Sequence, residues 1–541
     1  MIAAGIAIAA AGLVALLAGR LHVLLHLFQL EHYEAARLRV WVARRGERLE
    51  PAELGWTALA GALLSAAAAV GADPEALLVG LASSAAGIVR GRKALGRRQV
   101  KPLVFTARAR RLFGLALGVP VAALVALGVA GLVGLDAVVV AAAGTLVGLA
   151  AHVAAPELLA LADRLLRPVQ ALDNRRFVRR AKRRLHEIAP LVIGITGSYG
   201  KTTTKACVAE VAELRGAAYP TPASFNSYLG VVRAINEGLQ ARHRTFVVEM
   251  GAYRRGDVAE LCELVEPRIG ILTAIGPAHL ERFGSLDETE KAKGEIAEAL
   301  SPDGALITRA DDERCRRASE RASCPVRLFA PRPGVGADVW AEDVELRDGR
   351  TTFVIHSPAG EATVSARLLG EHNVANLVAA AATGLEIGLP LDAIARALAR
   401  VRPPAHRLAP IVNKAAGVVV IDDAYNSNPE GAAAALDVLA SHPAGRRLLV
   451  TPGMVELGER ERDENQRFGA KAAEVCDLVV LVGRDQTDPI RAGLATAGFP
   501  EGRLHVVADA AEAQALLART TRKGDVVLFE NDLPDLYRDG A

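Results

Sequence analysis

Aromatic side chains make up only 4% of this 541-residue sequence. A single-strand nucleic-acid binder stacks bases on rings set among basic residues, and no such module follows residue 190. Nucleic acid is therefore not an expected partner. Cysteine is scarce too. Cys207, Cys262, Cys315, Cys324 and Cys476 are odd in number and widely scattered, and no pair has C-x-x-C spacing. That argues against a disulfide scaffold or a thiolate metal site and fits reduced thiols in a cytosolic domain. Charge is nearly missing from residues 1–30. The net charge is only +3, yet arginine comes in bursts at 37–48, 90–111 and 164–184, a distribution suited to a membrane surface.

What fills the front of the chain is apolar. A membrane-crossing helix needs about 20 apolar residues for roughly 30 Å of hydrocarbon. Met1–Gly19 meets this and continues loosely to Leu30, and Leu112–Leu135 and Ala137–Ala155 meet it too. Leu54–Gly71 and Pro74–Val89 are shorter and alanine-rich. "GADP" at 71–74 and "VGLD" at 133–136 are expected to be tight turns. Five spans with the N-terminus outside put the clusters Arg37–Arg48, Arg90–Arg111 and the one after Ala155 in the cytoplasm, as the positive-inside rule asks. A cleaved signal peptide fits poorly, because no basic segment precedes the first run. No Asp, Glu, Lys or Arg is expected in the middle of a span, which argues for an anchor or lipid-facing dock rather than a carrier. Residues 156–189, with "LDNRRFVRRAKRRLHEI", are expected to form a basic amphipathic connector, either lying on an anionic leaflet or solvated.

After Pro190 the period changes. Short apolar strands at 191–195, 245–249, 269–273 and 304–308 alternate with helical stretches, the mark of a mostly parallel α/β sheet. The first strand runs into "GSYGKTTTK". Gly197 and Gly200 let backbone N–H groups curl around phosphate oxygens, Lys201 supplies a point charge, and Thr202 a hydroxyl for Mg²⁺. The spacing is G-x-x-G-K-T, since Ile195 stands where the general P-loop pattern has glycine. "TFVVEMGA" (245–252) ends a strand at Glu249, well placed for Mg²⁺ or its water. "AIGPAHLERFGSLDETEKAKGEI" (274–296) offers His279, Lys291 and Lys293.

With "FNSYLG" (225–230), "GEHNVANLVAA" (370–380), "HRL" (406–408), "DDAYNSNP" (422–429) and "GMVELG" (453–458), these blocks occur in the order found in the Mur ligases. From Ile193 to about Leu536 the chain resembles that family, in particular the branch that adds D-alanyl-D-alanine to a muramyl tripeptide. The resemblance implies an ATP-dependent amide ligase working through an acyl phosphate, with two Mg²⁺ ions. It implies a nucleotide-binding set of Gly197, Ser198, Gly200, Lys201, Thr202, Thr203, Asn376, Arg407 and Asp423. It assigns Thr202 and Glu249 to the first ion, His279 and Lys293 to the second, and makes Lys293 the lysine the family carbamylates. Lys201, Glu249, His279, Lys293 and Arg407 are the implied catalytic group, and Asn226 and Gly230 face the carboxylate substrate. Lys291 is expected to be a surface lysine and His372 a packing or capping residue. A carbamate also makes electrostatic sense, since a bare ammonium beside a dication costs about 4 kcal/mol per pair of unit charges at 4 Å and an effective dielectric of 20.

Two departures shape the expectations. The family's uridine-diphosphate-sugar domain is replaced by the apolar front region. The usual Lys-Gly-Ser-Arg-type loop is replaced by "VVLFENDLPDLY" (526–537), where Glu530, Asp532 and Asp535 form an acidic loop suited to a cationic or diamine acceptor, or a solvated turn. The expected fold is α/β: a P-loop ATPase domain with a mostly parallel sheet (190–400) and a Rossmann-like C-terminal domain (401–541). An all-α transmembrane region (1–155) and the connector (156–189) precede them. The expected partners are a carboxylate-bearing cell-envelope precursor, lipid-linked or held near the membrane, and an amine or amino-acid acceptor. The expected place is the cytoplasmic membrane, multi-pass, with the catalytic domains in the cytoplasm. A membrane-bound nucleotide-binding regulator of cell-wall machinery is the alternative, and a carrier-coupled ATPase is third.

Overall fold

The computed structural model describes residues 2–31, 33–45, 103–223, 225–347, 349–413, 417–425, 427–442 and 445–533. The expected spans Leu54–Gly71 and Pro74–Val89, the turn between them, Asn426 and Asp535 lie outside these residues. The chain divides into two compact units, one up to Asn174 and one from Arg175 to Leu533, and the division falls inside the helix Ala155–Ile188.

The first unit is helical among its described residues. Its helices are Ile2–Leu30, Ala35–Arg45, Ala107–Leu132, Ala137–Val153 and the start of Ala155–Ile188. Leu21, Leu24, Leu25, Phe28, Leu112 and Leu159 form its core. Large apolar side chains also face outward, with Val125, Leu132 and Leu146 at 60%, 82% and 66% exposure. An outer apolar band of this kind suits lipid. Two described helices, at Ala10–Leu30 and Ala107–Leu132, are long and apolar enough to cross a membrane. A third arises if Ala137–Val153 and Ala155–Ile188, which meet at 74°, are one broken span. The run expected at 137–155 is thus a helix of 17 residues, about 26 Å long at 1.5 Å per residue. The turn at "VGLD" is present: Gly134 has φ +118°, and Asp136 caps the next helix by accepting from the Val138 and Val139 N–H groups.

The first helix runs past Met1–Gly19 to Leu30 and so includes Arg20. Its Nη1 lies 3.2 Å from His152 Nε2 on a neighbouring helix. The apolar run could not reveal this, because the partner is 132 residues away.

The second unit holds two sheets. In the first, the strands are β1 (Leu191–Thr196), β2 (Ala218–Pro220), β3 (Thr245–Glu249), β4 (Ile269–Leu272), β5 (Ala305–Arg309), β6 (Val326–Ala330), β7 (Val339–Arg347), β8 (Arg350–Ser357) and β9 (Gly360–Ala366). Their order is β2-β3-β1-β4-β5-β6-β7-β8-β9. Pairing is parallel up to β6–β7, and β7, β8 and β9 run antiparallel. The second sheet has β10 (Ala409–Asn413), β11 (Val418–Asp423), β12 (Arg447–Thr451), β13 (Leu478–Val482), β14 (Leu504–Val507) and β15 (Val526–Glu530), ordered β10-β11-β15-β12-β13-β14. Only β10 is antiparallel to its neighbour.

Burial explains why the strands were readable. β1, β3 and β4 are covered on both faces, so they carry near-continuous apolar runs rather than alternation. After β1 the chain goes to one side (β2, β3) and then to the other (β4, β5). A crevice opens at such a switch point beyond the carboxyl ends of the strands. The connector's second half is committed to this unit. Ala181 is buried in its core, Val178 and Leu185 pack beside it, and Arg184 Nε donates to the Leu239 carbonyl at 2.6 Å. That face of the helix cannot lie on a leaflet; the opposite face keeps Arg176, Arg179, Arg180 and Arg183 exposed.

Candidate functional site

The glycine turn follows β1 and leads into the helix Lys201–Ala212. Gly197 has φ +148°, and a Cβ there would lie 2.0 Å from Thr273 Oγ1. Gly200 has φ +76°, and a Cβ would meet Asn376 Oδ1 at 2.4 Å. Both positions demand glycine on conformation and on space. The loop after β4 clamps the turn: Ser198 Oγ donates to the Gly276 carbonyl at 3.0 Å, and the Ser198 N–H donates to the Ala274 carbonyl at 2.7 Å. Ser198 therefore shapes the turn through its own backbone partners. Lys201 Nζ donates to the carbonyls of Gly197 at 2.6 Å and Ser198 at 3.2 Å. Burial is the main force lowering the Lys201 pKa to about 8; Glu249 opposes it and the Arg407 charge adds to it.

Glu249, at the carboxyl end of β3, is the hub. Thr202 Oγ1 lies 3.2 and 3.1 Å from its two oxygens. Asn226 Nδ2 donates to Oε1 at 3.0 Å, and Lys205 Nζ pairs with Oε2 at 2.8 Å. Burial alone would raise this carboxyl, but Lys205, Lys201 and Asn226 together hold it below the usual range. Lys205 was not foreseen. It lies one helical turn beyond Lys201 in "KTTTK", so both face β3. That spacing was the available signal.

A second chain of bonds ties the turn to the helix Glu371–Glu386. Thr204 Oγ1 donates to Asn376 Oδ1 at 2.9 Å, Asn376 Nδ2 to Asn373 Oδ1 at 3.0 Å, and Asn373 Nδ2 to the Leu369 carbonyl at 2.7 Å. Thr203 is buried beside them. His372 has its Nδ1 shut off from solvent without a partner, and burial, aided by the Arg407 charge, lowers its pKa to about 4.

His279 sits in the left-handed region at φ +54°. Its Nδ1 is paired with the Glu456 carboxylate from "GMVELG", and its ring meets Tyr253 edge-on at 5.0 Å. Burial lowers its pKa against the opposing pull of Glu456. Lys293 is 1% exposed, and its Nζ lies 5.4 Å from the Phe283 ring centroid. Burial first, then the Lys201 charge, hold its pKa well below the lysine range. Lys291 is exposed and pairs with Glu288 at 2.8 Å, a surface lysine.

Arg407 stacks its guanidinium 4.5 Å from the Tyr425 ring centroid. Beside it, Asp423 and Glu530 are register partners on β11 and β15. Asp423 accepts from the Leu408 N–H at 3.1 Å, and Glu530 accepts from Ser427 Oγ at 2.5 Å. Burial is the main force raising both carboxyls; the Asp423 charge adds to it at Glu530 and the Asp422 charge at Asp423, while Arg407 pulls both down. Glu530 is 1% exposed, so it is no member of a solvated acidic loop. The residue patterns could not reveal this, because its partners Asp423 and Ser427 lie more than 100 residues away. Asn428 caps the helix Pro429–Ala440 by accepting from the Gly431 N–H at 2.9 Å. Gly230 lies in the first turn of the helix Tyr228–Gly238, where its N–H donates to Ser227 Oγ at 3.3 Å.

The donor set suits a hard dication. Thr202 Oγ1 and Glu249 are oxygen donors side by side, and among the described residues no cluster of three or more His, Cys, Asp or Glu forms a protein cage. Mg²⁺ is ordinarily held by one or two carboxylates together with substrate phosphates, so the pair fits that group. For a second ion His279 offers less, because its Nδ1 is engaged by Glu456.

Comparison with known proteins gives the arrangement its place. The Mur ligase middle domain matches residues 195–384, and the Mur ligase glutamate ligase domain matches 406–530. The UDP-N-acetylmuramoyl-tripeptide–D-alanyl-D-alanine ligase of Mycobacterium leprae is 35% identical over 366 residues, 63% of this chain and 70% of that protein. The MurF crystal structure from Acinetobacter baumannii superposes with a TM-score of 0.60 at 29% identity, covering 67% of this chain and 78% of that one. MurF ligase of Thermotoga maritima, solved with ADP, gives a TM-score of 0.59 at 26% identity over 66% of this chain and 79% of that one. The chain belongs to the Mur ligase family of ATP-dependent amide-bond ligases.

Proposed function

We propose that this ligase activates a carboxylate of a cell-envelope precursor as an acyl phosphate and joins it to an amine at the cytoplasmic face of a membrane. The observation that carries the proposal is the cluster at the carboxyl ends of β1 and β3. There Lys201, Thr202 and Asn226 surround Glu249, and the buried Lys293 lies within the field of Lys201.

The chemical obstacle is repulsion between a carboxylate and a triphosphate. Lys201 meets it with charge at the phosphates, and Arg407 adds a planar, bidentate donor to the same anion. Thr202 and Glu249 would hold Mg²⁺, which would supply further neutralisation of phosphate oxygens. Asn226 and Gly230 orient the carboxylate for attack on the γ-phosphorus, with ADP leaving. The amine nitrogen then attacks the acyl carbon, the C–O bond to phosphate breaks, and the amine proton goes to a base. Burial holds the Lys293 amine well below the lysine pKa range, which supports its addition to carbon dioxide as a carbamate. It would give His279 an anionic neighbour for a second ion. Gly197, Ser198, Gly200, Thr203, Asn376 and Asp423 complete the nucleotide site.

We assign 1–155 to the membrane part, 156–189 to the connector, 190–400 to the ATPase domain and 401–541 to the C-terminal domain. The relatives' names supply the substrate class, a muramyl peptide and a dipeptide acceptor. The apolar front region supports a lipid-linked or membrane-held form of the carboxylate.

Hydroxylamine trapping tests this directly. With ATP and the correct carboxylate, the purified chain in detergent should yield a hydroxamate. ATP turnover indifferent to every carboxylate offered would sink the ligase reading and leave a nucleotide-binding regulator.

A further inference from the structure

We propose that a cleft at the joint between the two sheets is a binding site for a phosphate-type polyanion, separate from the glycine turn. The cleft has a volume of about 560 Å³ and is lined by Arg350, Arg367, Arg402, Pro403, Ala409 and Pro410. No carboxylate is among its described lining residues. Arg350 is anchored: its Nε donates to Ser365 Oγ at 2.9 Å, and its Nη2 reaches the Ala399 carbonyl at 3.4 Å. Arg367 and Arg402 are exposed and make no hydrogen bond or ion pair with the described residues. Three arginines line one space, and Arg367 and Arg402 keep their planar donor forks unspent. A phosphate or pyrophosphate group matches those forks in geometry.

The site is distinct from the reaction centre by topology. β8, which begins at Arg350, is five strands from β1 in the sheet order, about 24 Å at the usual strand spacing. It lies at the opposite edge from β2 and β3, beside which Asn226 and Glu249 sit. Its position also gives it leverage. Arg402 and Pro403 precede Arg407 in the segment that joins the two sheets, Ala409 and Pro410 follow it at the start of β10, Arg350 opens β8 and Arg367 directly follows β9. An anion held by all three arginines would brace that segment and set where Arg407 rests.

The test is calorimetric titration of inorganic pyrophosphate into the full chain in detergent, without Mg²⁺. In a Lys201→Ala variant pyrophosphate should still bind, and in the parent chain saturating ADP should leave this binding in place. In an Arg367→Gln/Arg402→Gln double variant it should weaken at least tenfold. The double variant should bind ADP as the parent does, which also reports that it is folded. Vesicles containing phosphatidic acid distinguish the source of the phosphate. Displacement of pyrophosphate by these vesicles supports a lipid headgroup, and displacement by glycerol phosphate alone supports a soluble anion. Loss of all pyrophosphate binding both in Lys201→Ala and under saturating ADP, or a double variant that binds like the parent, would overturn the site. Hydroxamate formation does not enter this measurement, so the ligase reading stands or falls separately.

Discussion

Three bases shifted by their surroundings make residue-scale predictions. Lys201 loses its proton near pH 8 in the free protein, and bound phosphate favours the charged form. The Kd for ADP should therefore rise about tenfold per pH unit above about 8, and Lys201→Met should flatten the dependence; titration between pH 7 and 9.5 checks it. His372 behaves oppositely in sign. Its folded pKa of about 4 lies below the ordinary 6.5, so its contribution is neutral above pH 6.5. As pH falls towards 4 the unfolded chain takes up the proton first, costing on the order of 1 kcal/mol per unit. His372→Gln should lose less of its melting temperature than the parent between pH 6.5 and 5. Lys293, enclosed and held well below the lysine pKa range, should add carbon dioxide: ¹³C-bicarbonate should give a carbamate signal that Lys293→Ala lacks, and activity should fall in degassed buffer. Lys201, Thr202 and Glu249 were legible because each sits in a short block whose chemistry is local. Lys205 and Glu456 were not, because their partners Glu249 and His279 come from elements whose adjacency only the sheet order and the packing decide.

At the level of elements, the glycine turn is rigid on three sides. Thr273, Gly276 and Asn376 each occupy space that a methyl group or a shifted backbone would need. Gly197→Ala should weaken ADP binding at least tenfold and destabilise the chain by a few kcal/mol, since strain at a positive φ adds to the clash. Thermal melts with and without ADP separate the two effects. Long buried strands were readable from apolar runs. The three-residue β2 was too short to show, and β10 carries Pro410 at a sheet edge, where the missing N–H costs nothing but disguises the strand. The connector helix was read as basic and amphipathic. Its apolar stripe, however, is spent on the core around Ala181, a choice that only packing reveals.

For the whole molecule, the described apolar helices and their outward-facing Val125, Leu132 and Leu146 predict firm membrane association. The expressed chain should sediment with membranes through high-salt and alkaline washes and be released only by detergent. Recovery in the salt wash would reduce the front region to a peripheral dock. Apolar length was visible from composition. The inclusion of Arg20 in a span was not, because a charge in hydrocarbon is tolerated only when another helix answers it, here through His152.

The fold-back of the Lys201 ammonium onto the Gly197 and Ser198 carbonyls has a cost for any visitor. A lone phosphate offers too little to lure the amine off its own backbone, whereas a nucleotide brings a base and sugar whose grip can fund the exchange. The turn should thereby favour a whole nucleotide over a lone phosphate, by self-sufficiency rather than by shape.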